Sequence, residues 1–168
     1  MNKIDLTSLS SAPYILHECK DDGFYEFVTD HDVRYRLGFL PDDIIQAAES
    51  YEFIIANTNA KSSPRDAKVR DTVLALVDEF FKKNNNALLY ICETSDGKQA
   101  FRNRLFQSWF AAYQNKSSIT LLSASVRDMD GIDNYSTLII PNSCPDYKAV
   151  IDEFTSTVAM FNNKPNRL

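Results

Sequence analysis

The stretch that decides the fold is Leu88–Tyr113, which reads LLYICETSDGKQAFRNRLFQSWFAAY. Its beginning lies within Ala87–Cys92, a continuous apolar run typical of an interior strand that is covered on both faces. Thr94–Gly97 consists of turn-forming residues. Lys98–Gln114 then repeats apolar side chains at helical spacing. The stretch therefore predicts a strand–turn–helix unit in the middle of an α+β domain.

Toward the N-terminus, the patterns predict three strands followed by a helix. Residues 24–28 and 33–39 alternate apolar and polar side chains around a polar turn, which is typical of a β-hairpin. Tyr51–Ala56 is rich in aromatic and β-branched residues, which favours a third strand. Ser63–Asp66 has the order of a helix start, with a capping serine before a proline, and helical periodicity continues to Lys82.

Toward the C-terminus, a second hairpin and a last helix are predicted. Ile119–Val126 and Tyr135–Ile140 are strand-like runs joined by a short connection, and Asp146–Phe161 is amphipathic with helical period. The element order is then βββ-α-β-α-ββ-α. It predicts an α+β fold with three main helices and a mixed, largely antiparallel sheet of about six strands.

Length and polarity set the predicted domain boundaries. A chain of 168 residues suits one domain. Residues 1–22 are polar and rich in Ser, and we expect a loosely ordered lead-in there. Residues 23–161 form the predicted single α+β domain, and residues 162–168 form a polar tail.

Charge and composition limit the possible partners. The formal net charge of -5 disfavours a general affinity for nucleic acid, which depends on neutralising phosphates. The chain contains no long apolar run of the kind that spans a membrane, and its N-terminus lacks the apolar core of a signal peptide. Cys19, Cys92 and Cys144 show no CxxC spacing and are expected to be reduced thiols. These features together predict a cytoplasmic protein.

The turn before the second helix has two interpretations. Backbone N–H groups at such a helix start can bind an anion, which makes Thr94, Ser95 and Asp96 candidate ligand-binding residues. Ser95 or Asp96 is also a natural N-cap, and a cap occupies the same donors. The turn contains a single glycine, unlike a phosphate-binding loop. Ordinary capping is therefore the favoured interpretation of the turn.

Arginines on apolar helix faces are the more unusual feature of the sequence. Arg102 falls inside the apolar arc of the second helix, Arg104 falls on its polar side, and Arg70 lies within the apolar arc of the first helix. A guanidinium in that position pairs with a carboxylate, stacks on an aromatic ring or extends to solvent. One interpretation of these arginines is that each forms a structural ion pair. The other is that Arg70 and Arg102 converge on a cleft and bind an acidic ligand or partner.

A second possible surface lies on the N-terminal hairpin. Arg34 and Arg36 are two residues apart in one strand, so they share a face of the sheet. Beside aromatic residues such a pair can hold nucleic acid or an acidic protein. The acidic net charge favours the simpler reading, a solvated face of an antiparallel sheet.

Two segments carry a pattern that extends beyond local structure. They are CETSDGKQ at residues 92–99, continued by Arg102-Asn103-Arg104 and Trp109-Phe110, and YEFVT at residues 25–29 with Tyr35. This pattern resembles an uncharacterised family of small bacterial α+β proteins of unknown function. The resemblance implies a recurring domain, and it carries no activity or catalytic residue to this chain.

The functional hypothesis follows mainly from missing motifs. No convergent catalytic set and no glycine-rich loop can be read, so we predict no catalytic residue, no metal and no cofactor. The leading hypothesis is a non-enzymatic binding or regulatory module that uses the Thr94–Asn103 region, with a protein or a small anionic ligand as partner and a homodimer as an open possibility. The alternative is a small enzyme or nucleic-acid-associated factor that uses an arginine-lined cleft.

Overall fold

A computed structural model of the chain describes residues 1–10, 12–21 and 23–163. Residues 164–168 of the predicted polar tail lie outside the described residues. The described strands are β1 His17–Glu18, β2 Phe24–Val28, β3 Arg34–Pro41, β4 Ser50–Asn57, β5 Ala87–Ile91, β6 Ile119–Arg127 and β7 Asp133–Pro141. The α-helices are α1 Ala67–Lys83, α2 Gln99–Ala111 and α3 Tyr147–Asn162, and short 3-10 helices occur at Leu6–Leu9 and Lys116–Ser118.

The strands form a sheet in the order β1-β2-β3-β4-β5-β7-β6. β4 and β5 are parallel, whereas β1–β2, β2–β3, β5–β7 and β6–β7 are antiparallel pairs. The predicted α+β class and the mixed, mostly antiparallel sheet are therefore confirmed, as are both hairpins. The strand beyond the six expected ones is β1, which has two residues. None of the helices in the described ranges is both long and apolar enough to cross a membrane.

The chain divides into two compact units. The first comprises residues 1–40 and 53–85, and the second comprises Pro41–Glu52 together with the chain from Asn86 onward. In the first unit, α1 supplies Phe80, whose ring stacks on Phe39 of β3 at a centroid distance of 4.6 Å. Phe53 of β4 packs on the same Phe39 ring, so the core of this unit is aromatic.

The start of α1 differs from its prediction. The N-cap is Asp66, whose carboxylate accepts a hydrogen bond from the Lys68 N–H at 2.8 Å. Ser63 and Pro64 precede the helix, and the Ser63 hydroxyl bonds instead to the Tyr35 hydroxyl at 2.6 Å. The predicted capping serine was wrong because a tertiary contact engages it and an aspartate, an equally good cap, follows three residues later.

The N-terminal segment of the first unit contributes to its core. Ile4, Tyr14 and Leu16 are buried there. The Asn2 N–H donates to the Asn84 side-chain oxygen at 2.6 Å, which ties the segment to the end of α1. The domain boundaries read from the sequence stay a prediction.

In the second unit, the sheet is covered on both faces. Leu89, Leu138 and Ile140 share a cluster with α3, which supplies Val150 and Phe154. On the opposite face, the ring of Phe106 from α2 stacks on Tyr90 of β5 at 3.9 Å. Because neighbouring strand residues point to opposite faces, β5 is an interior strand, as its apolar run predicts.

Candidate functional site

The loop between β5 and α2 brings several predicted site residues together. Gly97 has a φ of 70°, a left-handed conformation that suits glycine and delays entry into the helix. The N-cap of α2 is therefore Lys98, and it makes no side-chain capping bond. The predicted cap at Ser95 or Asp96 was wrong for this reason. Asp96 instead accepts a hydrogen bond from the Lys98 N–H at 3.1 Å.

The Arg102 guanidinium closes this loop. It donates to both carboxylate oxygens of Asp96, at 2.8 Å and 2.5 Å, and to the Glu93 carbonyl at 2.8 Å. This bidentate pair holds the pKa of Asp96 down, to about 2. The arrangement links the loop to the first turn of α2. An anionic ligand at Arg102 has to compete with the Asp96 carboxylate.

The backbone of the loop is also occupied. The Glu93 carboxylate accepts hydrogen bonds from the N–H groups of Thr94 and Ser95, at 3.0 Å and 2.9 Å. These bonds hold the pKa of Glu93 below its usual value. The donors that made Thr94 and Ser95 candidate anion ligands thus already hold a carboxylate. Ligand binding by this loop stays a prediction.

The remaining arginines of the helices lie elsewhere. Arg104 is exposed on α2. It lies on a different side of the helix from Arg102, because residues two positions apart in an α-helix are separated by about 200° around the axis. Arg70 lies on α1 in the first unit, and its Nε donates to Asp71 at 2.7 Å. Arg70 and Arg102 therefore each have a carboxylate partner within their own unit. Their proposed shared role stays a prediction.

On the N-terminal hairpin, Arg36 is held more tightly than Arg34. The Arg36 guanidinium lies over the Phe24 ring, 4.5 Å from its centroid, and forms an ion pair with Asp21. Gly38 makes this possible, because a Cβ at Gly38 would collide with the Phe24 ring. Arg34 is exposed on the same strand.

The cysteine at the end of β5 lies in an apolar environment. Cys92 is buried, and burial raises the pKa of its thiol. Burial likewise raises the pKa of Tyr90, whose hydroxyl bonds to Cys92. At neutral pH both groups keep their protons, so this thiol lacks the activation of a nucleophile. In the described ranges, no three His, Cys, Asp or Glu side chains are grouped closely enough to hold a metal ion.

Sequence reasoning predicted a strand at Ile119–Val126 but missed that this strand, β6, is the outer strand of the sheet. Strand β6 pairs with β7 and ends the sheet. At its two ends, the Asn142 N–H donates to the Ser118 carbonyl and the Asp128 N–H donates to the Ile132 carbonyl. Even-numbered residues of the strand therefore direct their backbone groups toward β7, and odd-numbered residues direct theirs away from the sheet, because the direction alternates along a strand.

The outward-facing backbone groups of β6 form an open edge. They belong to Leu121, Ser123 and Ser125 at the centre of the strand. Within the part of the chain that the structure describes, the one partner on this side is the Asn162 amide, which donates to the Ser125 carbonyl at 3.1 Å. We call this row of backbone groups the β6 edge. It offers hydrogen bonds to a further strand.

The sequence of β6 lacks the features that usually protect an outer strand. Ile119–Val126 contains no charged residue, no proline and no glycine. Ser123 and Ser125 are exposed, whereas Leu122 and Ala124 pack on the α3 side. This uncharged run is visible in the sequence. Its place at the end of the sheet is a tertiary property.

The comparison with protein families bears on the same region. A family model matches residues 65–156, which is more than half of the chain. The chain belongs to DUF6169, a family of unknown function. The DUF6169 match includes α1, the β5–α2 loop and β6, and it begins after β1–β4. The expected membership of an uncharacterised family is confirmed, and the function is unknown. No curated protein and no solved structure matches the chain.

Proposed function

We propose that this protein is a non-enzymatic protein-binding module whose interface is the β6 edge. The observation that carries the proposal is the row of outward-facing backbone groups on an uncharged strand. In strand addition, a partner segment extends the sheet, main-chain hydrogen bonds supply affinity, and side chains on alternate residues supply specificity. Leu121, Ser123 and Ser125 provide the main-chain groups for such a pairing.

The β6 edge is also well prepared for binding. Nine residues of β6, from Ile119 to Arg127, are in register with β7. Ser123 is held further, since its hydroxyl bonds to Thr137 at 2.8 Å and accepts from the Gln107 amide. A strand that is already ordered loses little conformational freedom when a partner binds.

Other functions have less support. An anionic ligand that binds Arg102 at the loop between β5 and α2 has to displace the Asp96 carboxylate. No observation favours a small enzyme or a nucleic-acid-associated factor. The proposal places the module in the bacterial cytoplasm. The free thiols of Cys19, Cys92 and Cys144 are compatible with a reducing compartment.

A matched pair of variants tests the proposed interface. Ser125→Pro removes an outward-facing N–H and places the proline ring on the open side, where an outer strand tolerates it. Ser125→Ala keeps the N–H and serves as the control, because the Ser125 side chain is exposed. Affinity capture with the wild type and both variants should recover the same partners with Ser125→Ala and lose them with Ser125→Pro. Equal recovery with both variants contradicts the proposal.

A further inference from the structure

We infer that the strand that fills the β6 edge is β6 of a second copy of this chain, so that the module is a symmetric homodimer. This inference rests on the proposed function, since it names the partner of the same edge. The two strands run antiparallel about a twofold axis perpendicular to the sheet. Such an interface is self-complementary, as is usual for homodimers.

The outward-facing residues define a register for this pairing. With the axis at Ser123, the Ser123 residues of the two copies lie opposite each other, and Leu121 of each copy lies opposite Ser125 of the other. All of these residues direct their backbone groups outward. Residues that face each other in this way in an antiparallel pair exchange both of their backbone hydrogen bonds.

The side chains fit the same register. The twofold axis keeps α2 of both copies on one side of the joined sheet and α3 on the other. Leu122 of one copy then lies opposite Ala124 of the other, on the face where both residues already pack near α3. Directly opposite side chains in a sheet are in contact distance, so this pair extends apolar packing across the junction.

Charge is the argument for a second copy. Like charges that lie opposite each other in a sheet destabilise the pairing. From Ile119 to Val126 the strand is uncharged, so pairing with a second copy of the same strand places no like charges opposite each other in this range. Arg127 falls opposite Ile119 of the other copy, and its Nε is already paired with Asp133 at 2.8 Å.

The Asn162 contact at the β6 edge has to be compatible with the second copy. The Asn162 amide donates to the Ser125 carbonyl, which is also the acceptor for Leu121 of the second copy. A carbonyl oxygen has two lone pairs and can accept both bonds, or Asn162 can turn away. We therefore expect Asn162→Ala to dimerise at least as well as the wild type.

Sedimentation equilibrium over a concentration series tests the inference on the full chain. The wild type and Ser125→Ala should show a monomer–dimer equilibrium, and Ser125→Pro should dimerise at least about tenfold more weakly. A wild type that stays monomeric at every concentration overturns the inference. So does a Ser125→Pro variant that dimerises like Ser125→Ala.

A charge pair tests the register without proline. Ser123→Lys and Ser123→Glu each place like charges at the twofold axis, so each alone should dimerise more weakly than the neutral control Ser123→Gln. Mixing the two charged variants should restore dimers, because opposite charges then face each other. If the mixture dimerises no better than each variant alone, the pairing at Ser123 is wrong.

The two proposals fail in different ways. If the wild type is monomeric while Ser125→Pro loses a captured partner that Ser125→Ala keeps, the second-copy inference alone is overturned. If Ser125→Pro both dimerises and captures partners as Ser125→Ala does, the β6 edge is not an interface and both proposals are overturned.

Discussion

The two outer strands of the sheet, β1 and β6, differ in how they are protected against the addition of a further strand. Strand β1 has two residues, His17 and Glu18, and Glu18 is paired with Lys3 at 3.0 Å. Strand β6 has nine residues and is uncharged until Arg127. Short length and charge are the usual means of preventing strand addition at a sheet edge. The contrast indicates that one edge is protected and the other is available for pairing.

The largest expected effect separates the two sides of β6. Ala124→Pro removes an N–H that faces β7 and should lower the free energy of unfolding by about 2–3 kcal/mol. Ser125→Pro removes an N–H that faces outward and should cost the monomer less than about 1 kcal/mol. Urea unfolding at low protein concentration measures both values. Equal losses would show that β6 is paired on both sides.

A smaller effect on stability is expected at the loop between β5 and α2. Arg102→Ala should lower the melting temperature by about 2–4 °C, because the link between the loop and α2 is lost. Arg104→Ala is the control, since Arg104 is exposed on the same helix. If the two variants melt alike, the Arg102–Asp96 pair does not stabilise the loop.

The pH dependence of this loop follows from Asp96. Its pKa is lowered to about 2 in the folded protein, below the unfolded value, because Arg102 binds the ionised carboxylate. The stabilisation is therefore present above the unfolded pKa and is lost as the pH falls toward about 2. The melting difference between the wild type and Arg102→Ala should shrink over that interval. A difference that stays constant would exclude Asp96 as the partner.

The affinity of the dimer should rise moderately with salt concentration. Each chain has a formal net charge of -5, so two copies repel each other over long range. Raising the salt concentration from about 0.05 M to about 0.5 M screens this repulsion and should tighten the dimer several-fold. Sedimentation equilibrium at both concentrations provides the measurement. Weaker dimerisation in salt would indicate an interface held by ion pairs.

The smallest effect is expected at β1. Glu18→Ala breaks an exposed ion pair and should change the free energy of unfolding by less than about 0.5 kcal/mol. We expect no change in the monomer–dimer equilibrium from this variant. A change as large as that of Ser125→Pro would mean that the β1 edge is the interface.

Local patterns predicted the three α-helices and six of the seven described strands, and they missed β1 and details that depend on contacts. Alternation predicted both hairpins, and the apolar run predicted the interior strand β5. The start of α1 was misplaced because Ser63 bonds to Tyr35. The cap of α2 was misplaced because the left-handed Gly97 delays the start of the helix, and Asp96 pairs with Arg102 instead. Each misplaced cap concerns a polar side chain whose partner is set by folding.

The amino-acid sequence by itself determined the α+β class, the element order and the uncharged character of Ile119–Val126, since these follow from residue types and their spacing. Tertiary structure alone decided that Arg102 closes on Asp96 and that β6 ends the sheet. The physical reason is that strand order and ion-pair partners are set by contacts between distant residues. A periodic pattern records which face of a strand is apolar, and it contains no information on which neighbour the strand has.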